Sequence, residues 1–197
     1  AISLAPIYEG PLFAFYNTAT RFKIAGIKIG NDCEGHSVFQ QNTFASTETG
    51  SRAFEGESGG DVTRSTLENN IFSAKESIAG PAVADSAGSY TVRFNYNIVD
   101  SLQGGIRVSW PQNVYTGFAA WRSTFGQEAN GQAAEARLIS MADPRLYNSN
   151  QFYPSNNAVQ TGRTIPGVNS GLGGKRYERL PNIGGKGCGN CYYTEGP

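Results

Sequence analysis

Lys28, Asn31, Asp32, Glu34 and His36 form one close run of polar and ionisable residues, and Arg52, Glu55, Glu57, Asp61 and Arg64 form a second. Removing a proton beside a carboxylate takes a Lys, Arg, His or Tyr base next to a cation that neutralises the carboxylate. Lys28, His36, Arg52 and Arg64 are the candidates for that work. Asp32, Glu34, Glu57 and Asp61 are hard oxygen donors of the kind calcium takes, so calcium is the metal this pattern admits. The same residues suit solvated corners between strands at least as well, because turns collect polar side chains.

His36 is the only histidine, so any His-based catalysis must use it; between Gly35 and Ser37 it also reads as a polar residue entering a strand. One histidine cannot anchor a zinc cluster, and no glycine pattern of a nucleophile elbow is present. Zinc and nucleophilic chemistry are therefore set aside, and no cofactor-binding pattern stands out. Cys33, Cys188 and Cys191 are an odd number. In an oxidising compartment they allow at most one internal bridge, either Cys188 to Cys191 or one of these to Cys33, or a bond to another chain.

The elements that must position these residues follow from an internal repeat. Four segments share one register: 13–19, 38–44, 66–72 and 93–99, centred on Asn17, Asn42, Asn70 and Asn97 and recurring every roughly 25 to 28 residues. Three residues before each Asn stand Ala14, Phe39, Leu67 and Phe94, and two residues after it stand Ala19, Phe44, Phe72 and Val99. A looser strand follows each motif, at 24–29, 53–57, 81–84 and 106–109, and turn-rich stretches separate them. Short strands repeating with polar corners describe one coil of a solenoid, and stacked coils bury a face that no single coil can bury. Asn at the bend suits this geometry if it adopts a left-handed backbone and bonds, through its amide, to the Asn of the next coil.

The period breaks after about residue 110. Residues 115–126 read as a short amphipathic helix with Thr116 as its cap, Phe118, Trp121 and Phe125 on one face and Gly126 as its stop. Residues 142–147 read as another extended piece, and from Gly162 the chain is Gly-rich and aperiodic. The expected organisation is a β-solenoid with its capping segment over 1–165 and a tail or wrapping arm over 166–197. The fold class is all-β, a right-handed parallel β-helix of about four coils with one short helix and an irregular tail.

Composition agrees. The 197 residues contain 16 basic and 16 acidic side chains, which cancel, so the chain lacks the basic surplus of a nucleic-acid or anionic-membrane binder. No stretch approaches the roughly 20 apolar residues of a membrane span. Tyr90, Trp110, Tyr147, Phe152, Tyr153, Tyr177, Tyr192 and Tyr193 lie outside the repeat. Such aromatics can stack on sugar rings or anchor protein interfaces.

The residues 95–99, 114–121, 126–129 and 142–145, with the coil signatures 42–44 and 69–72, resemble secreted bacterial right-handed parallel β-helix proteins of the pectate-lyase-like superfamily. The resemblance covers roughly residues 10–165. It implies a secreted or cell-surface protein associated with extracellular polysaccharide, a lyase in one reading, and it turns the proton-abstraction candidates into groups for a sugar acid. In the other reading the chain is a non-catalytic structural or adhesive subunit that packs end to end, since a contact that does not close continues into a filament. The helix near residue 120 covers one end, and no counterpart precedes Phe13. The open end therefore calls for a further copy of the chain or for upstream coils of the same protein.

Overall fold

The computed structural model describes residues 2–4, 12–29, 37–56, 65–80, 93–101, 106–109 and 113–134. Each Asn-centred motif bends at its Asn into two strands, and the looser strand makes a third. In chain order these are β1 (Ile2–Leu4), β2 (Leu12–Phe15), β3 (Thr18–Thr20), β4 (Ala25–Ile29), β5 (Ser37–Gln40), β6 (Thr43–Ala45) and β7 (Arg52–Gly56). They continue as β8 (Thr66–Glu68), β9 (Ile71–Ala74), β10 (Glu76–Gly80), β11 (Arg93–Asn95), β12 (Ile98–Ser101), β13 (Ile106–Ser109) and β14 (Asn113–Thr116), followed by helix α1 (Phe118–Phe125).

The strands form three sheets, ordered β1-β4-β7-β10-β13-β14, β2-β5-β8-β11 and β3-β6-β9-β12. The chain visits the sheets in rotation, so each strand pairs with the equivalent strand of the next turn. All pairings are parallel except β13 with β14, which is antiparallel. The fold is thus all-β, built on parallel sheets with almost no helix among the described residues.

Register places like side chains above one another. Ala14, Phe39, Leu67 and Phe94 align across the second sheet, and Ala19, Phe44, Phe72 and Val99 across the third. These are the two offsets that the sequence repeat singles out. Ile27 aligns with Phe54 across the first sheet, and all three rows converge on one buried core. Phe44 stacks on Phe72 at 6.1 Å, and Phe54 meets Phe94 edge to face at 5.2 Å. In β4, Gly26 lets β6 and β7 approach: a Cβ there would stand 2.8 Å from the Ala53 carbonyl oxygen and 2.9 Å from the Phe44 Cβ.

Two local expectations need correction. The left-handed residue at each bend is the one before the Asn, namely Tyr16, Gln41, Asn69 and Tyr96, with φ between 55° and 59°. Each Asn keeps its backbone N–H pointed along the stack, where it donates to the next Asn, and this leaves the reversal to its predecessor. Helix α1 is capped by Gly117 without a side-chain hydrogen bond, because Thr116 is the last residue of β14. Gly126 ends it with φ 63°, its N–H donating to the Arg122 carbonyl.

The third strand of the β8–β9 turn is described at residues 76–80, ahead of the expected 81–84. Residues 81–84, 142–147 and the tail 166–197 lie outside the described residues, as does the boundary near 165. Trp121 of α1 is fully buried and packs on Phe94 at 5.2 Å, so the helix closes the core at the end of the stack beyond β11. Among the described residues no helix is long and apolar enough to cross a membrane.

Candidate functional site

Three of the candidate residues, Lys28, Arg52 and Glu55, lie in the described structure, on adjacent strands of the first sheet. Ile27 and Phe54 point inward and are fully buried. The next residues, Lys28 and Glu55, are register partners, and strand alternation turns them to the other face. Arg52 begins β7, where its N–H donates to the Ile24 carbonyl at 2.7 Å, and its Nη1 meets Glu55 Oε1 at 2.9 Å. Glu55 Oε2 is buried without a hydrogen-bond partner. The group formed is therefore a carboxylate flanked by Lys28 in register and by Arg52 in contact. An external carboxylate must compete with Glu55 for that guanidinium.

His36, Arg64, Asn31, Asp32, Glu34, Glu57 and Asp61 lie outside the described residues, as do Cys33, Cys188 and Cys191. The eight aromatics outside the repeat do as well. The exposed large hydrophobic residues that the structure does describe are Phe13, Phe15, Tyr16 and Ile24, all in the first turn.

The repeated Asn residues form a hydrogen-bonded ladder with one direction. Nδ2 of Asn17 donates to Oδ1 of Asn42 at 3.0 Å, Asn42 to Asn70 at 2.9 Å, and Asn70 to Asn97 at 3.0 Å. Each backbone N–H donates to the same oxygen as its own amide. The second Nδ2 hydrogen reaches back to a carbonyl, that of Ala14, Phe39 or Leu67. Buried Asn42, Asn70 and Asn97 thereby satisfy both amide hydrogens, as a dry core requires.

The ladder ends on a residue that the repeat does not announce. Asn97 donates from Nδ2 to Glu128 Oε1 at 2.6 Å and from its N–H to Glu128 Oε2 at 3.1 Å. Both oxygens of Glu128 are taken up as acceptors, so the residue closes a chain of donors that a fifth Asn would only prolong. Glu128 is fully buried, and burial pushes its carboxyl up to about 7; the two Asn97 donors and Arg122 pull the other way, and Glu68 adds to the rise. The segment after α1 seals the neighbouring strands too. Gln127 Oε1 accepts the Phe94 N–H, Glu128 N–H donates to the Phe94 carbonyl, and Gln132 exchanges backbone bonds with Asn97 and Val99. The sequence signal is faint: a pair of glycines, Gly126 and Gly131, bracketing one acid.

Comparison with protein-family models, with curated proteins and with solved structures found no match.

Proposed function

We propose that the described turns belong to a right-handed parallel β-helix of the pectate-lyase-like kind, secreted and associated with extracellular polysaccharide. The observation that carries this reading is the rotation of the chain through three parallel sheets, with apolar rows in register and an Asn ladder at one bend. The contact region is the face of β4 and β7 bearing Lys28, Glu55 and Arg52. A uronate carboxylate suits it because a planar guanidinium takes a carboxylate by two parallel hydrogen bonds. In a lyase-like reaction Lys28 is the base and Arg52 neutralises the sugar acid.

The test is incubation with polyuronates, with and without calcium, following both binding and the absorbance of unsaturated product. Binding that weakens in Arg52→Ala and Lys28→Ala supports the reading; neither binding nor product would sink it. The Arg52–Glu55 ion pair favours a second reading, a non-catalytic extracellular structural or adhesive subunit, because the cation is already engaged. Binding without product selects that alternative.

A further inference from the structure

The two ends of the stack differ in chemistry. At the Glu128 end the ladder finishes on an acceptor whose two oxygens are engaged by Asn97, and Glu128 spends its own N–H on the Phe94 carbonyl. β14 runs antiparallel along β13 there, so the parallel pattern stops. At the other end β1 already extends the first sheet beyond β4, whereas among the described residues the second and third sheets finish at β2 and β3. Among the described residues Asn17 Oδ1 accepts no hydrogen bond, although the same atom of Asn42, Asn70 and Asn97 accepts two. Thr18 Oγ1 in β3 is buried without a partner. Tyr16 is 47% exposed where its counterpart Gln41 is 2% exposed, and Asn17 is exposed where Asn42 is fully buried.

We infer that the face formed by β2, Asn17 and β3 is a docking surface for a polypeptide segment of strand–Asn–strand form, running parallel to both strands and donating its Asn N–H and amide to Asn17 Oδ1. Direction decides the occupant. Asn17 Oδ1 needs a donor rung, and the far end of a second copy offers Glu128, whose two oxygens are both held by Asn97 and whose N–H is spent on the Phe94 carbonyl. Head-to-tail stacking of copies therefore does not continue the ladder, and a filament held by that contact is not what this face fits. Two strands joined at an Asn, ahead of a third strand in the place β1 already holds, reproduce what β5, β6, β8 and β9 do in the interior. Strand addition of this kind takes its affinity from main-chain hydrogen bonds and its register from the alternate side chains. The inference rests on the sheet edges and the ladder, independently of any polysaccharide.

The test extends the full chain. Ile2 and Ile78 both lie in register with the row of Ile27 and Phe54, so a copy of residues 65–76 placed directly before Ala1 brings a strand–Asn–strand unit into line with β1. The expected result is a melting midpoint raised by roughly 5 °C, with most of the gain lost when the copied Asn70 is replaced by Leu. A copy whose Asn70→Leu form stabilises equally well would overturn the inference. Should the extended chain fail to fold, the peptide 65–76 is added to the unextended chain and amide hydrogen exchange is read at β2 and β3. Slower exchange with the Asn peptide than with its Asn70→Leu form supports the inference, and unchanged exchange overturns it. A concentration-dependent oligomer of the unextended chain that shields β2 with Glu128 intact would overturn it as well.

Discussion

The carboxylate of Glu128 occupies the space that a side chain at Gly131 would need. A Cβ at Gly131 would overlap Oε2 and stand 2.6 Å from Cδ. The backbone explains why. Gln132 N–H donates to the Asn97 carbonyl, as Thr43, Ile71 and Ile98 do to Asn17, Asn42 and Asn70, so Gly131 stands where a fifth Asn would stand. The rung is there, but its side chain comes from three residues earlier.

Gly131→Ala should therefore cost about 2 to 3 kcal/mol, since it drives the carboxylate off Asn97 and leaves two buried donors short. Gly117→Ala, where a Cβ meets nothing within 4 Å, should cost no more than about 1 kcal/mol, from the poorer helix cap alone. Urea unfolding of the two variants checks the contrast. Equal losses would mean that the crowding at Gly131 relaxes freely.

Stability should fall as pH rises through the range set by Glu128. Its carboxyl titrates at 4.5 in the unfolded chain and at about 7 when folded. Between those values the folded state holds a proton that the unfolded state has lost, so folding is favoured at the acid side. The loss, complete above the folded value, is on the order of 3 kcal/mol. Denaturation at pH 5 and pH 8, with Glu128→Gln as reference, isolates it: the slope of the parent minus that of the variant should be negative. A parent and variant of equal slope would remove Glu128 as the source.

Asn rungs should differ by depth. Asn70→Leu removes the oxygen that takes both the Asn42 N–H and its amide, in a site closed to water, and should cost about 4 kcal/mol. Asn17→Leu, at an exposed rung, should cost about 1 kcal/mol. Thermal unfolding of both orders them; the reverse order would mean that the ladder is not the unit of stability.

Gly26→Ala should destabilise by about 2 to 3 kcal/mol, because the new methyl meets a carbonyl oxygen and the Phe44 Cβ within the packed core. Gly50→Ala, in open space at φ 75°, should cost about 1 kcal/mol from backbone strain alone. Chemical denaturation separates the two mechanisms, since Gly50→Asn should recover part of the loss and Gly26→Asn none.

Removing the competing acid should strengthen any uronate contact. Glu55→Gln takes one carboxylate away from Arg52 and is expected to raise polyuronate affinity several-fold, whereas Arg52→Ala weakens it. The pair itself is partly exposed, so a double-mutant cycle should return no more than about 1 kcal/mol of coupling. Affinity unchanged in both variants would place polysaccharide elsewhere or nowhere on this protein.

Asn17, Asn42, Asn70 and Asn97, with their apolar neighbours at two constant offsets, were enough to read the stacking and two of the three buried rows, because a repeat that buries its own equivalents writes its register into the spacing. Composition added the all-β class. Left to the tertiary structure were the one-residue displacement of the left-handed bend, the direction of the ladder and its closure by Glu128. Each depends on which donor faces which acceptor across turns some thirty residues apart, as in the span of 31 between Asn97 and Glu128. A side chain borrowed by Gly131 leaves no periodic trace. Lys28, Glu55 and Arg52 were visible as charges, but only the folded strand put Arg52 on Glu55, and only the pairing of β4 with β7 put Lys28 beside the same acid.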